Sequence, residues 1–76
     1  MNKDRRNRLA DIVSALESAK DDLESLKDEE QEAFDNLPEG LQQADKGQQM
    51  ESAVSEMDDA ISNIDDAISS IESASE

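Results

Sequence analysis

A seven-residue apolar period runs through most of this chain, and no other feature restricts its fold as much. Leu9, Leu16, Leu23 and Leu37 share one heptad position, with Glu30 as the interruption, and Ile12, Ala19, Leu26 and Ala33 share a second position three places later. Beyond Pro38 the period resumes. Met50, Met57, Ile64 and Ile71 recur every seven residues, Ala53, Ala60, Ala67 and Ala74 follow three places later, and Val54, Ile61 and Ile68 lie beside them. Apolar residues at this spacing form a stripe along one side of an α-helix, and a stripe must be covered by another helix.

Pro38 separates the two halves because it has no N–H to donate and disfavours the helical conformation at Leu37. The first helix is therefore expected over residues 4–36, the turn over 37–45 and the second helix over 46–73. Asp45 is the expected N-cap of the second helix, with Gln48 as its capping-box partner. Helices of about 30 residues span about 45 Å. Two of equal length joined by a short turn suit an all-α, coiled-coil-like antiparallel hairpin in a single domain. The Ala ladder permits close approach of a neighbour. The Val54, Ile61, Ile68 column widens the stripe beyond what one partner needs, which implies two hairpins associating as a four-helix bundle. The expected self-association seam is Met57, Ala60, Ile61, Ile64, Ala67, Ile68 and Ile71.

Size agrees with association. A chain of 76 residues with one aromatic side chain, Phe34, can build only a thin core. Without cysteine or histidine it has no disulfide and no thiolate or imidazole metal site to reinforce that core. Self-association is the remaining staple, with a homodimer as the simplest case.

Charge narrows the partners. The formal net charge is −14, from 21 acidic and 7 basic residues. That balance opposes direct binding of nucleic acid or an anionic membrane and suits a protein with a basic surface. No apolar run approaches the roughly 20 residues that span a bilayer, and the first residues lack a signal peptide's apolar stretch. A cytoplasmic protein is expected. Lys20 and Lys27 flank the first helix's seam and should meet Glu56, Asp58, Asp59 and Asp65 across it. Arg5, Arg6 and Arg8 are poorly placed for their own helix dipole, and a hairpin would put them beside Glu72 and Glu76 at the far end of the second helix.

Three features are candidate sites. The cluster Arg5, Arg6 and Arg8 could grip phosphate or nucleotide at one end, or simply pair with acidic neighbours. The pairs Asp21-Asp22, Asp58-Asp59 and Asp65-Asp66 could attract cations or imitate DNA phosphates. No EF-hand spacing is present, and carboxylates seven residues apart stand about 10 Å apart on a helix, so a solvated face is the simpler reading. The tip is the least generic segment. Phe34, Leu37 and Leu41 should form an apolar plug with Pro38 fixing the turn, and Gln42 and Gln43 would help it contact a partner.

The run Asp28-Glu-Glu-Gln-Glu-Ala-Phe-Asp-Asn-Leu-Pro-Glu-Gly-Leu-Gln42 and the acidic Ala/Ile heptads after Gly47 resemble a family of small acidic proteins. That family comes from tailed phages and prophages of low-GC Gram-positive bacteria, and the resemblance covers residues 9–74. It implies a phage origin and a bacterial host cytoplasm, but no activity.

Three functions follow as expectations. The first is an accessory protein that binds a host protein, in defence or nucleic-acid binding, and blocks or redirects it. The second is a self-assembly module in phage morphogenesis. The third is an oligomeric nucleotide sponge using Arg5, Arg6, Arg8 or Lys46. An enzyme is not expected, because without His, Cys or Tyr catalysis would rest on carboxylates and lysines that so thin a fold cannot bury. No cofactor is expected either.

Overall fold

The computed structural model describes residues 1–76 and is all helical, without strands. Helix α1 covers Lys3–Asp35, a short helical turn α2 covers Glu39–Gln42, and α3 covers Asp45–Ala74. α1 starts where Asn2 Oδ1 accepts the Arg5 backbone N–H at 2.8 Å, which satisfies one of the orphan donors of a helix start. α3 starts differently from expectation. Its N-cap is Ala44, which offers no side-chain acceptor, and Asp45 is the first helical residue. Asp45 still complements the positive end of the helix from within the first turn. Gln48 donates to the Gln43 carbonyl at 3.4 Å instead of closing a capping box.

α1 and α3 pack as an antiparallel pair, and two ion pairs set the register. Lys20 Nζ lies 3.0 Å from Asp65 Oδ1, and Lys27 Nζ lies 3.2 Å from Asp58 Oδ1. Seven residues forward on α1 are thus matched by seven back on α3. Asp59 and Glu56, also expected opposite these lysines, form no ion pair.

The seam differs from the expected one in its second column. The half-buried seam positions are Leu9, Val13, Leu16, Lys20, Leu23, Lys27, Glu30 and Phe34 on α1 and Leu37 just beyond it, alternating steps of four and three, with Glu24 half-buried beside them. Ile12, Ala19, Leu26 and Ala33, expected inside, are exposed, Ile12 at 48% and Leu26 at 55%. On α3 the seam pairs Met50, Met57, Ile64 and Ile71 with Val54, Ile61 and Ile68, and the Ala ladder becomes its flank. The reason is buried area. An isoleucine hides three more carbons than an alanine, at about 0.8 kcal/mol for each CH₂. Covering Ile61 and Ile68, the two buried hydrophobic residues of the chain, outweighs covering Ala60 and Ala67. The matching column on α1 is Val13, Lys20, Lys27 and Phe34. The lysines serve because their alkyl stems cover apolar surface while their ammonium groups reach Asp65 and Asp58.

The turn is a tied structure. The Leu41 and Gln42 N–H groups both donate to the Pro38 carbonyl, at 2.8 and 3.1 Å. Gln42 Nε2 donates to the Phe34 carbonyl at 3.1 Å, which fastens α2 to the end of α1. Gly47 is buried where α3 passes the Gln42 carbonyl, so closely that a Cβ there would overlap it. Of the expected apolar plug, Phe34 and Leu37 are half-buried, but Leu41 is 52% exposed. It lies outside the plug because Gln42, one residue on, is the α2 side chain turned inward.

Candidate functional site

The hairpin has two unlike long faces, one on each side of the seam. Lys20–Asp65 and Lys27–Asp58 close one side, where Glu24 also lies half-buried. Asp65 holds the Lys20 ammonium by a hydrogen bond and by its charge, with Glu24 and Asp21 adding to the field, so its pKa lies above the ordinary 10.5. Asp58 and Asp65 are the bridging members of their Asp pairs. Their neighbours Asp59 and Asp66 stand a further 100° around the helix and face solvent.

The opposite side carries the residues displaced from the expected seam. Ile12, Ala19, Leu26 and Ala33 line the α1 edge, and Ala53, Ala60, Ala67 and Ala74 line the α3 edge. Both columns lie three places after their seam position, and in an antiparallel pair that puts them on the same face. Leu26 and Met57 accordingly line one shallow groove, of about 340 Å³, together with Glu29 and Glu30. A second groove of about 270 Å³ sits near the other end, lined by Arg5, Arg8, Leu9 and Ile12. A third, of about 460 Å³, is open and polar along the start of α3, between Asp45 and Glu56.

The arginine cluster does not make its expected contacts. Arg8 pairs with Asp4 of its own helix at 3.8 Å, both side chains being mostly exposed, and no arginine pairs with Glu72 or Glu76. Register explains this. With Lys20 opposite Asp65, Ala74 at the end of α3 stands level with Asp11. Ser75 and Glu76 continue to the level of Leu9, so residues 3–8 project beyond the far end of the chain by about 9 Å. Arg5 and Arg8 point towards the flank with Ile12, whereas Arg6 turns elsewhere, so the three do not converge on one point.

The other expected site residues are divided by the fold. Phe34 and Leu37 belong to the seam, Gln42 holds the turn, and Pro38, Leu41 and Gln43 remain exposed at the tip. Ile61 and Ile68 are consumed inside the hairpin, with Met57, Ile64 and Ile71 half-buried beside them. Ala60 and Ala67 are the members of the expected self-association seam that lie on the flank. No group of three carboxylates converges as a metal ion would require. No helix is long and apolar enough to cross a membrane. The fold and its surfaces define an acidic α-helical hairpin with one ion-paired face and one apolar flank. No protein family, no curated protein and no solved structure matches the chain.

Proposed function

We propose that this hairpin is a non-enzymatic phage or prophage accessory protein that acts by binding a host protein through a basic surface on that partner. The observation that carries the reading is the charge of α3. Lys46 is its single base, and of its carboxylates only Asp58 and Asp65 are engaged in ion pairs. Glu51, Glu56, Asp59, Asp66 and Glu72 are exposed and unpaired along a helix about 45 Å long. A row of that kind steers and holds a cationic surface, and salt weakens the hold. The resemblance over residues 28–42 supports the phage origin, and with it the cytoplasm of a bacterial host as the working compartment.

The hairpin works as a dimer, two copies forming a four-helix bundle. Only 3 of its 76 residues are buried in the single chain, which leaves the apolar flank uncovered. The same flank favours a second reading, a self-assembly module in virion construction.

A pull-down from nuclease-treated host lysate separates the two. Tagged protein is expected to retain a basic host protein at low salt and release it at high salt. The variant Glu56→Gln/Asp59→Asn/Asp66→Asn should lose it. Recovery of the bait alone would reject the host-binding reading and leave self-assembly.

A further inference from the structure

We infer that the apolar flank is closed by a second copy of this chain lying antiparallel to the first, α1 on α1 and α3 on α3, with Arg5 and Arg8 of each copy set against Glu29 and Glu30 of the other. This rests on the proposed dimer and specifies its face and orientation.

Three observations converge on that arrangement. The two grooves on the flank are chemical opposites, one pairing arginines with Leu9 and Ile12 and the other pairing glutamates with Leu26 and Met57. They lie near opposite ends of α1, with Ala19 midway between Ile12 and Leu26. A twofold axis crossing the flank beside Ala19 therefore lays each basic groove on the other copy's acidic groove and each Ile12 on a Leu26. Both charge contacts form twice.

The α3 edge obeys the same axis. Its register places Ala67 close to the level of Ala19. Ala67 then meets Ala67, and Ala60 meets Ala74. Ala60, Asn63, Ala67, Ser70 and Ala74 include no charge, so a protein of net charge −14 presents an uncharged strip where two acidic helices approach.

The overhang is the third observation. Residues 3–8 of α1 have no partner from the α3 end beside them, and four of the chain's seven bases, Lys3, Arg5, Arg6 and Arg8, stand there. In the antiparallel dimer the second copy's Glu29 and Glu30 supply the missing neighbours. A parallel dimer would instead bring the arginine ends of both copies together. Overlap of residues 5–33 runs about 40 Å. The α3 strips overlap only over residues 60–74, about 20 Å, so with each helix taking half of the 15 Å width the contact covers on the order of 450 Å² per copy, a small interface that fits a dimer in reversible equilibrium.

The chain contains no cysteine, so an introduced thiol reports its own surroundings. Ala19→Cys in the full chain should give a disulfide-linked dimer on mild oxidation, whereas Asp66→Cys, on the solvent side of α3, should not. By sedimentation equilibrium, Arg5→Glu/Arg8→Glu should weaken association by about tenfold or more, and adding Glu29→Arg/Glu30→Arg to the same chain should restore it. Circular dichroism establishes that each variant keeps its helix. A wild-type chain that stays monomeric at every concentration would overturn the dimer itself. A dimer that Ala19→Cys fails to link, or that ignores the arginine reversal, would leave dimerisation standing and overturn this face and orientation.

Discussion

Gly47 and Gly40 are the chain's two glycines, and their surroundings give opposite predictions. A methyl group at Gly47 would strike the Gln42 backbone carbonyl, with no flexible side chain to yield. Helix propensity favours alanine there by about 1 kcal/mol. The clash outweighs it, because relief means moving α2 away from α3 and straining the Gln42–Phe34 hydrogen bond. Gly47→Ala should cost about 2 kcal/mol or more. At Gly40 an added Cβ meets nothing within 4 Å. Gly40→Ala should therefore be neutral or stabilise by about 0.5–1 kcal/mol, and urea titrations followed by circular dichroism will separate the pair. Lys20 sets a pH dependence at the same scale. Its pKa is raised in the fold by Asp65 first, so the folded chain holds that proton more tightly than the unfolded one. The resulting stabilisation is complete below the unfolded value near 10.5 and disappears as pH rises through the higher folded value. Thermal melts through that alkaline window should show a declining midpoint in the wild type and a shallower decline in Lys20→Met. Equal declines would mean that the Asp65 contact does not shift Lys20.

Between elements, the few buried side chains hold the hairpin. Ile68 is 9% exposed, and Ile68→Ala should cost about 2–4 kcal/mol. Against the roughly 3–5 kcal/mol that a core this small supplies, that loss should abolish most of the helical signal. Leu26→Ala, at a residue 55% exposed, should change hairpin stability by less than about 1 kcal/mol when measured in dilute protein. The same two columns show how far the elements were legible in the sequence. Leucine and isoleucine periodicity, interrupted at Pro38, located both long helices to within a residue or two and made the antiparallel hairpin the natural pairing. The rotation of each helix about its axis was not legible from hydrophobicity. Every leading position has flanks at both three and four places, and on α1 Ile12 and Leu26 look more apolar than Lys20 and Lys27. A signal did exist. Val54, Ile61 and Ile68 demanded burial, and Lys20 with Asp65 and Lys27 with Asp58 match in spacing and charge from opposite ends of the chain. Asp45 reads as the α3 cap because Asp is a favoured cap residue, and local preference does not reveal that α2 delivers Ala44 to that position instead. The overhang of the arginines needed the register, which no single-helix pattern contains.

Seen whole, the molecule is a charged rod. Two cross-helix ion pairs work against the mutual repulsion of a chain with net charge −14. Exposed pairs contribute about 1 kcal/mol at most, whereas the repulsion sums over many carboxylates, so screening should favour the folded state on balance. The melting midpoint should climb as sodium chloride is added. A falling midpoint would show that the bridges outweigh the repulsion. The extents of 58 × 15 × 12 Å give a radius of gyration of 17.2 Å, against about 11 Å for a compact domain of this length. Such a body drags on the solvent far more than a sphere of equal mass and tumbles more slowly end over end than about its long axis. A single hairpin will therefore leave a sizing column early and pass for a larger species. Sedimentation or scattering, which weigh a particle instead of timing its passage, will give the true count of chains.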